Sequence, residues 1–126
     1  MELEQAISIM LDAQDKLRTR RGVNDPDFMS EQMQRLAQAT GAVEQHLAEY
    51  ERDYEIKLGT KLHQYLVDEG ASATNADKRT RIDLAELKGE IAYLSRIVSS
   101  AWKQVSTTQS RWNHLRKDYN LGGTVT

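Results

Sequence analysis

The chain has 126 residues, a net charge of −2, 39% hydrophobic and 29% charged residues, and no cysteine. That length predicts one domain, and so polar a mix suits elongated helices better than a compact globule; the missing cysteine excludes a disulfide framework, a thiol nucleophile and a thiolate zinc site. No apolar run approaches the roughly 18 residues of a membrane span and Met1-Glu2-Leu3-Glu4 lacks a signal peptide's basic-then-apolar pattern, so a cytoplasmic protein with no membrane association is expected.

Residues 1–22 read as a short N-terminal helix. Leu3, Ile7, Met10 and Leu17 recur at helical spacing, and Gly22 stands where a C-cap belongs. Arg18, Arg20 and Arg21 crowd the last turn, where cations suit the helix dipole. The single proline marks the next start: Asp25 caps, Pro26 takes the first helical position, and Asp27 meets the positive end. A helix over 25–69 follows. Met29, Met33, Leu36, Thr40, Val43, Leu47, Tyr50 and Tyr54 make a heptad seam, which shifts to steps of four through Leu58 and Leu62. Gly41 and Gly59 each cost this helix about 1 kcal/mol relative to alanine; they imply either close packing or tolerated slack.

The stretch from Asp68 to Asn75 breaks the pattern. Gly70 stops one helix, and Thr74 with Asp77 resembles a capping box for the next, expected over 75–119. Its seam is the strongest in the chain: Leu84, Leu87, Ile91, Leu94, Val98, Ala101, Val105, Thr108, Trp112, Leu115 and Tyr119 alternate steps of three and four. Thr40 and Thr108 are polar seam members that can set register. Residues 120–126 should fray as a flexible tail.

Two helices of about 40 residues reach about 60 Å each at 1.5 Å per residue, and a short loop makes them antiparallel neighbours. The expected fold is therefore all-α, a long antiparallel, coiled-coil-like two-helix hairpin preceded by a short helix. Such a hairpin buries little surface, so the first helix packs on it or copies associate. Residues 26–119 carry the heptads and are expected to be the stable unit, with a homo-oligomer as the assembled form.

Charge is segregated. Residues 24–56 hold eight acids against Arg35 and Arg52, a balance of −6, whereas residues 76–120 hold nine bases against five acids, a balance of +4. In the last helix Arg96, Lys103, Arg111, Arg116 and Lys117 interleave with Trp102, Trp112 and Tyr119. Cations that follow a phosphate backbone and aromatics that stack on bases describe single-strand binding surfaces. The alternative is that these bases only pair with the acids of the partner helix. A smaller cluster gathers at the turn, where Lys57, Lys61 and His63 face Lys78, Arg79 and Arg81, either as a phosphate-contacting patch or as a solvated helix end. His46, His63 and His114 lack metal-ligand spacing, and no phosphate loop or nucleophile elbow is present. No enzyme activity, catalytic residue, metal or cofactor is expected.

The stretch Tyr54-Glu55-Ile56-Lys57-Leu58-Gly59-Thr60-Lys61-Leu62-His63-Gln64-Tyr65-Leu66-Val67-Asp68-Glu69-Gly70 precedes a small-residue turn. A long helix follows, ending in Gln109-Ser110-Arg111-Trp112-Asn113-His114-Leu115-Arg116. Over about residues 50–120 this order resembles the phage recombination mediators, the UvsY-like family. The resemblance implies DNA recombination and repair: a ring-forming homo-oligomer that binds single-stranded DNA and helps a RecA-type recombinase displace single-strand binding protein in the host cytoplasm. It places the family's DNA-contacting lysine on Lys61 and its basic neighbour on His63, a histidine where the family carries arginine. The residues named as DNA-binding are thus Lys57, Lys61, His63, Lys78, Arg79 and Arg81, with Arg96, Lys103 and Arg111 as secondary candidates. The alternative is a non-enzymatic coiled-coil structural or adaptor protein, used in virion assembly or protein docking.

Overall fold

A computed structural model describes the backbone of residues 1–125 and the side chains of residues 1–118. Among the described residues the chain is all-helical, with no strand. It comprises α1 (Leu3–Leu17), α2 (Arg20–Asn24), α3 (Pro26–His63), a π-helical turn (Gln64–Asp68), α4 (Ala73–Asp83) and α5 (Ala85–Val125). Two compact units are formed, one from residues 1–44 with 97–126 and the other from residues 45–96. Long helices divide in this way because each residue touches only what lies beside it.

The first unit has a three-helix core. Ala6, Met10, Ala13 and Leu17 of α1 are buried together with Met29, Met33, Leu36, Ala39 and Val43 of α3 and Val98 and Ala101 of α5. A hydrogen bond links each pair of helices. Arg35 of α3 donates to Asp12 of α1 at 3.0 Å, Gln104 of α5 donates to the Gln14 carbonyl of α1 at 3.1 Å, and the Trp102 indole N–H of α5 donates to the Glu44 carboxylate of α3. Lys16 and Arg35 together hold the Asp12 carboxyl below the usual carboxylate range. The N-terminal helix is therefore part of the first unit's core. Its small Ala6 and Ala13 bring α1 close, whereas the larger Leu3 and Ile7, which carry the helical spacing, are only half-buried. Thr40 is fully buried, and its hydroxyl is satisfied within α3 by donating to the Leu36 carbonyl at 2.6 Å.

The N-terminal helix also ends earlier than its spacing predicts. Thr19 breaks it: its hydroxyl donates to the Lys16 carbonyl at 2.6 Å and accepts from the Gly22 N–H at 3.1 Å, closing α1 and capping α2 together. Gly22 thus lies inside α2 and is buried, not a C-cap. A Cβ there would come within 2.1 Å of the Lys16 carbonyl oxygen and 2.7 Å of the Leu17 Cα, so this corner closes only on glycine. The next start is as expected. The Asp25 carboxylate accepts from the N–H groups of Asp27 at 3.1 Å and Phe28 at 3.2 Å, and Pro26 opens α3.

The second unit is built about its turn. Gly70 takes φ +65°, as a left-handed C′ residue does, and the Ala71 N–H reaches back across the π-helical turn to the Tyr65 carbonyl at 2.8 Å, closing the helix end. The next cap is Ser72, accepting from the Asn75 N–H at 3.3 Å, and α4 starts at Ala73, so Thr74 does not cap. Helix is interrupted again at Leu84, with φ −101° and ψ 7°, where the heptads predict no break. Backbone bonds still cross it, from Leu84 N–H to Thr80 and from Lys88 N–H to Leu84. Across the turn Lys61 meets Asp83 and Glu69 meets Arg79, so partner positions fall on one arm as they rise on the other. That is local antiparallel pairing. Tyr65, Ala76, Thr80, Leu84 and Leu94 are buried here, but Leu47, Tyr50, Tyr54, Leu58, Leu62, Leu87 and Ile91 are only half-buried.

Helical backbone continues through the expected tail to Val125. The side chain of Tyr119, the last expected seam member, lies outside the described residues, as do those of 120–126.

Candidate nucleic-acid interface

At the turn of the second unit the structure brings only some of the expected cations together, and most of them are paired with acids. Lys57 lies 2.9 Å from Asp53 along its own helix, and Arg81 lies 3.1 Å from Asp77 along its own. Lys61 reaches Asp83 at 3.9 Å, and Arg79 reaches Glu69 at 3.2 Å while its guanidinium sits 4.6 Å from the Tyr65 ring centre. The Tyr65 hydroxyl donates to Asp83, and that bond, aided by burial and the carboxylate charge, pushes the phenol pKa up. His63 is exposed and shares a shallow cleft with Asp68 and Glu69, an acidic setting for a phosphate contact. Lys78 alone of the five Lys and Arg candidates forms no ion pair among the described residues. The whole second unit holds ten acids and eight bases, so little positive potential is left there to attract an anionic strand.

The bases of α5 behave differently. Among the described residues none of its six cations, Lys88, Arg96, Lys103, Arg111, Arg116 and Lys117, forms an ion pair, while Lys16, Arg18, Arg21, Arg35, Lys57, Lys61, Arg79 and Arg81 elsewhere all do. The acids of residues 27–56 do not neutralise α5 through direct pairs. Among the described residues the one such acid hydrogen-bonded to α5 is Glu44, and its partner is an indole.

Within the first unit Ser100, Lys103, Thr107, Arg111 and His114 follow steps of three, four, four and three, and so share one face of α5. All five are exposed. Trp102, 39% exposed, is adjacent in sequence and tethered by Glu44. Arg116 lies 5.0 Å from the ring centre of half-buried Trp112, which takes that aromatic out of the free stacking surface. The secondary candidates Lys103 and Arg111 are thus the ones whose charge stays uncompensated on a shared face.

Comparison of the chain with protein-family models, curated proteins and solved structures returned no match. Among the described residues no group of three or more His, Asp or Glu is placed to hold a metal ion, and no helix is long and apolar enough to cross a membrane.

Proposed function

We propose that the chain is a non-enzymatic, single-stranded DNA-binding accessory protein, built as a long antiparallel helical hairpin and acting as a homo-oligomer. The uncompensated cations of α5 carry this reading. Unpaired lysine and arginine keep their full attraction for phosphate, whereas a cation already bonded to a carboxylate must first give up that partner. Lys103 and Arg111 on the hydroxyl-bearing face are the principal contacts, with Arg96 and Lys117 on the same helix. Lys57, Lys61, His63, Lys78, Arg79 and Arg81 become a minor set. The local antiparallel pairing around the second unit's turn supports the hairpin. The resemblance to recombination mediators supplies the context: the bound strand would be handed from single-strand binding protein to a RecA-type recombinase in a host cytoplasm.

A second reading, a protein-docking adaptor, is favoured by a different observation. In the second unit Ile56, Val67, Ile82 and Tyr93 are 58%, 64%, 74% and 50% exposed, large apolar groups suited to a protein partner.

Fluorescence anisotropy with a labelled oligothymidylate and a duplex of equal length, at 50 and 200 mM salt, separates the two. The strand should bind in preference to duplex, and each phosphate neutralised should add about −0.7 to the slope of log affinity against log salt. Lys103→Ala with Arg111→Ala should flatten that slope by about 1.4, while Lys61→Ala with Arg79→Ala changes it less. Absence of strand binding at the lower salt would leave the adaptor reading standing.

A further inference from the structure

In the first unit, the corner between α1 and α2 and the exposed face of α5 enclose a cleft of about 400 Å³. Three cations line it from segments far apart in sequence: Arg18 at the end of α1, and Lys103 and Arg111 on α5. Arg18 has one acidic neighbour, Asp15 at 3.7 Å, with both side chains well exposed, and the two α5 cations have none among the described residues. The hydroxyls of Ser100 and Thr107 add hydrogen-bonding groups to the same walls, and Leu17 and Val23 add apolar surface. The corner is held in place without a ligand. Thr19 bridges Lys16 and Gly22, and the Arg18 N–H donates to the Asp15 carbonyl at 3.1 Å.

Gln104, which also lines the cleft, contributes an independent observation. Its amide N–H donates to the Gln14 carbonyl, which fixes the orientation of the group, and its buried Oε1 has no hydrogen-bond partner. An unpaired buried acceptor is costly and calls for a donor. A bare anion would satisfy the three cations and leave Oε1 unpaired; a ligand with both a phosphate and a hydroxyl satisfies all of them.

We infer that this cleft binds the phosphate of a nucleotide, with Arg18, Lys103 and Arg111 as its charge partners and Gln104 Oε1 accepting from the sugar hydroxyl. The nucleotide is either free or at the 3′ end of a strand, where the terminal residue keeps its 3′-hydroxyl beside a backbone phosphate. The strand-end source rests on the single-strand reading above, while the cleft itself does not. Arg18 is here a ligand-binding residue, a role its place in a helix-ending arginine run did not disclose.

The test is a titration of the full-length chain, followed by 15N-edited NMR. The probes are thymidine 5′-monophosphate, inorganic phosphate, and an oligothymidylate ending either in a free 3′-hydroxyl or in a 3′-dideoxy residue. Thymidine monophosphate should shift the Gln104 side-chain amide and the Gly22 backbone amide, and should bind more tightly than inorganic phosphate. Arg18→Gln, at an exposed position, should leave the fold intact and weaken the nucleotide on the order of tenfold, the usual scale for losing one charge-assisted bond. Arg20→Gln, beside the corner but not lining the cleft, should change it little. Equal losses from both variants would reduce the effect to diffuse charge and overturn the site, as would an unshifted Gln104 amide. A free 3′-hydroxyl that tightens the oligomer in wild type but not in Arg18→Gln identifies the strand end; nucleotide binding with no such gain identifies the free nucleotide. If the oligomers bind but the nucleotide does not, the cleft fails and the strand reading survives. If only the nucleotide binds, the reverse holds, and if nothing binds both are overturned.

Discussion

Three glycines that look alike in the sequence have opposite consequences. At Gly22 an added methyl would overlap main-chain atoms of Lys16 and Leu17, which no side-chain movement relieves. Gly22→Ala should therefore cost roughly 2–3 kcal/mol, the upper part of the usual range for point changes. At Gly41 and Gly59 a Cβ meets nothing within 4 Å, so these positions are slack and not close packing. Gly59→Ala should stabilise by about 1 kcal/mol through helix propensity alone. Paired thermal melts check both signs, and a rise for Gly22→Ala would contradict the corner geometry. Asp25 permits a test by pH. The Phe28 N–H, followed by Arg21, holds its carboxyl below the ordinary carboxylate value. A depressed acid stabilises the fold above its unfolded pKa of about 3.9 and loses that contribution as pH falls through the lower folded value. Asp25→Ala should thus melt earlier than wild type at neutral pH, with the gap closing below about pH 4. A gap that is constant down to pH 2 would remove the cap from the account.

At the scale of elements, periodicity was a sound guide to helices and a poor one to their partners. The seams of α3 and α5, the cap at Asp25 and the stop at Gly70 were legible because each depends on neighbours within a few residues. The role of α1 was left open, since the sequence allowed either its packing on the long helices or association of copies. Its contact residues include alanines, which carry little hydrophobic signal yet allow close approach, and Ala6, Met10 and Ala13 are fully buried. Deletion of residues 1–22 should therefore expose the Met29, Leu36 and Val43 surface and unfold the first unit. Met10→Ala should cost about 2–5 kcal/mol, the range for emptying a large core position. Circular dichroism melts of both settle the matter, since a truncated chain with unchanged helicity and Tm would restore the hairpin as the self-sufficient unit. The break at Leu84 was equally hidden, because a heptad pattern records which side of the helix is apolar and not whether its backbone is continuous.

For the molecule as a whole, unequal burial supports self-association. The first unit closes a three-helix core, but in the second Tyr50, Tyr54, Leu58, Leu62, Leu87 and Ile91 remain half-exposed along the seam. Two helices alone leave part of such a seam in water. Light scattering at micromolar concentration should report several chains per particle, and Leu58→Glu with Ile91→Glu should reduce their number. A monomer at every concentration would contradict the homo-oligomer and any ring built from it. Assembly would also alter the electrostatics, since uncompensated α5 cations repeated around a particle would raise the local field on an approaching strand.

The sequence by itself determined the helical class, the two long apolar seams, the caps around the first turn of α3 and the glycine stop at Gly70. All follow from composition, period and chemistry within one or two turns of helix. Only the tertiary structure decided that α1 is core and that Gly22 is a closing point. It also decided which cations keep their charge free. Lys61 and Arg79 looked like the better phosphate contacts because they cluster near a turn, but the same turn brings Asp83 and Glu69 onto them. Lys103 and Arg111 looked ready to pair with an acidic partner helix, yet they are left unpaired beside Arg18, some ninety residues earlier in the chain. Charge pairing acts over a few ångströms in space, and a linear order does not contain those distances.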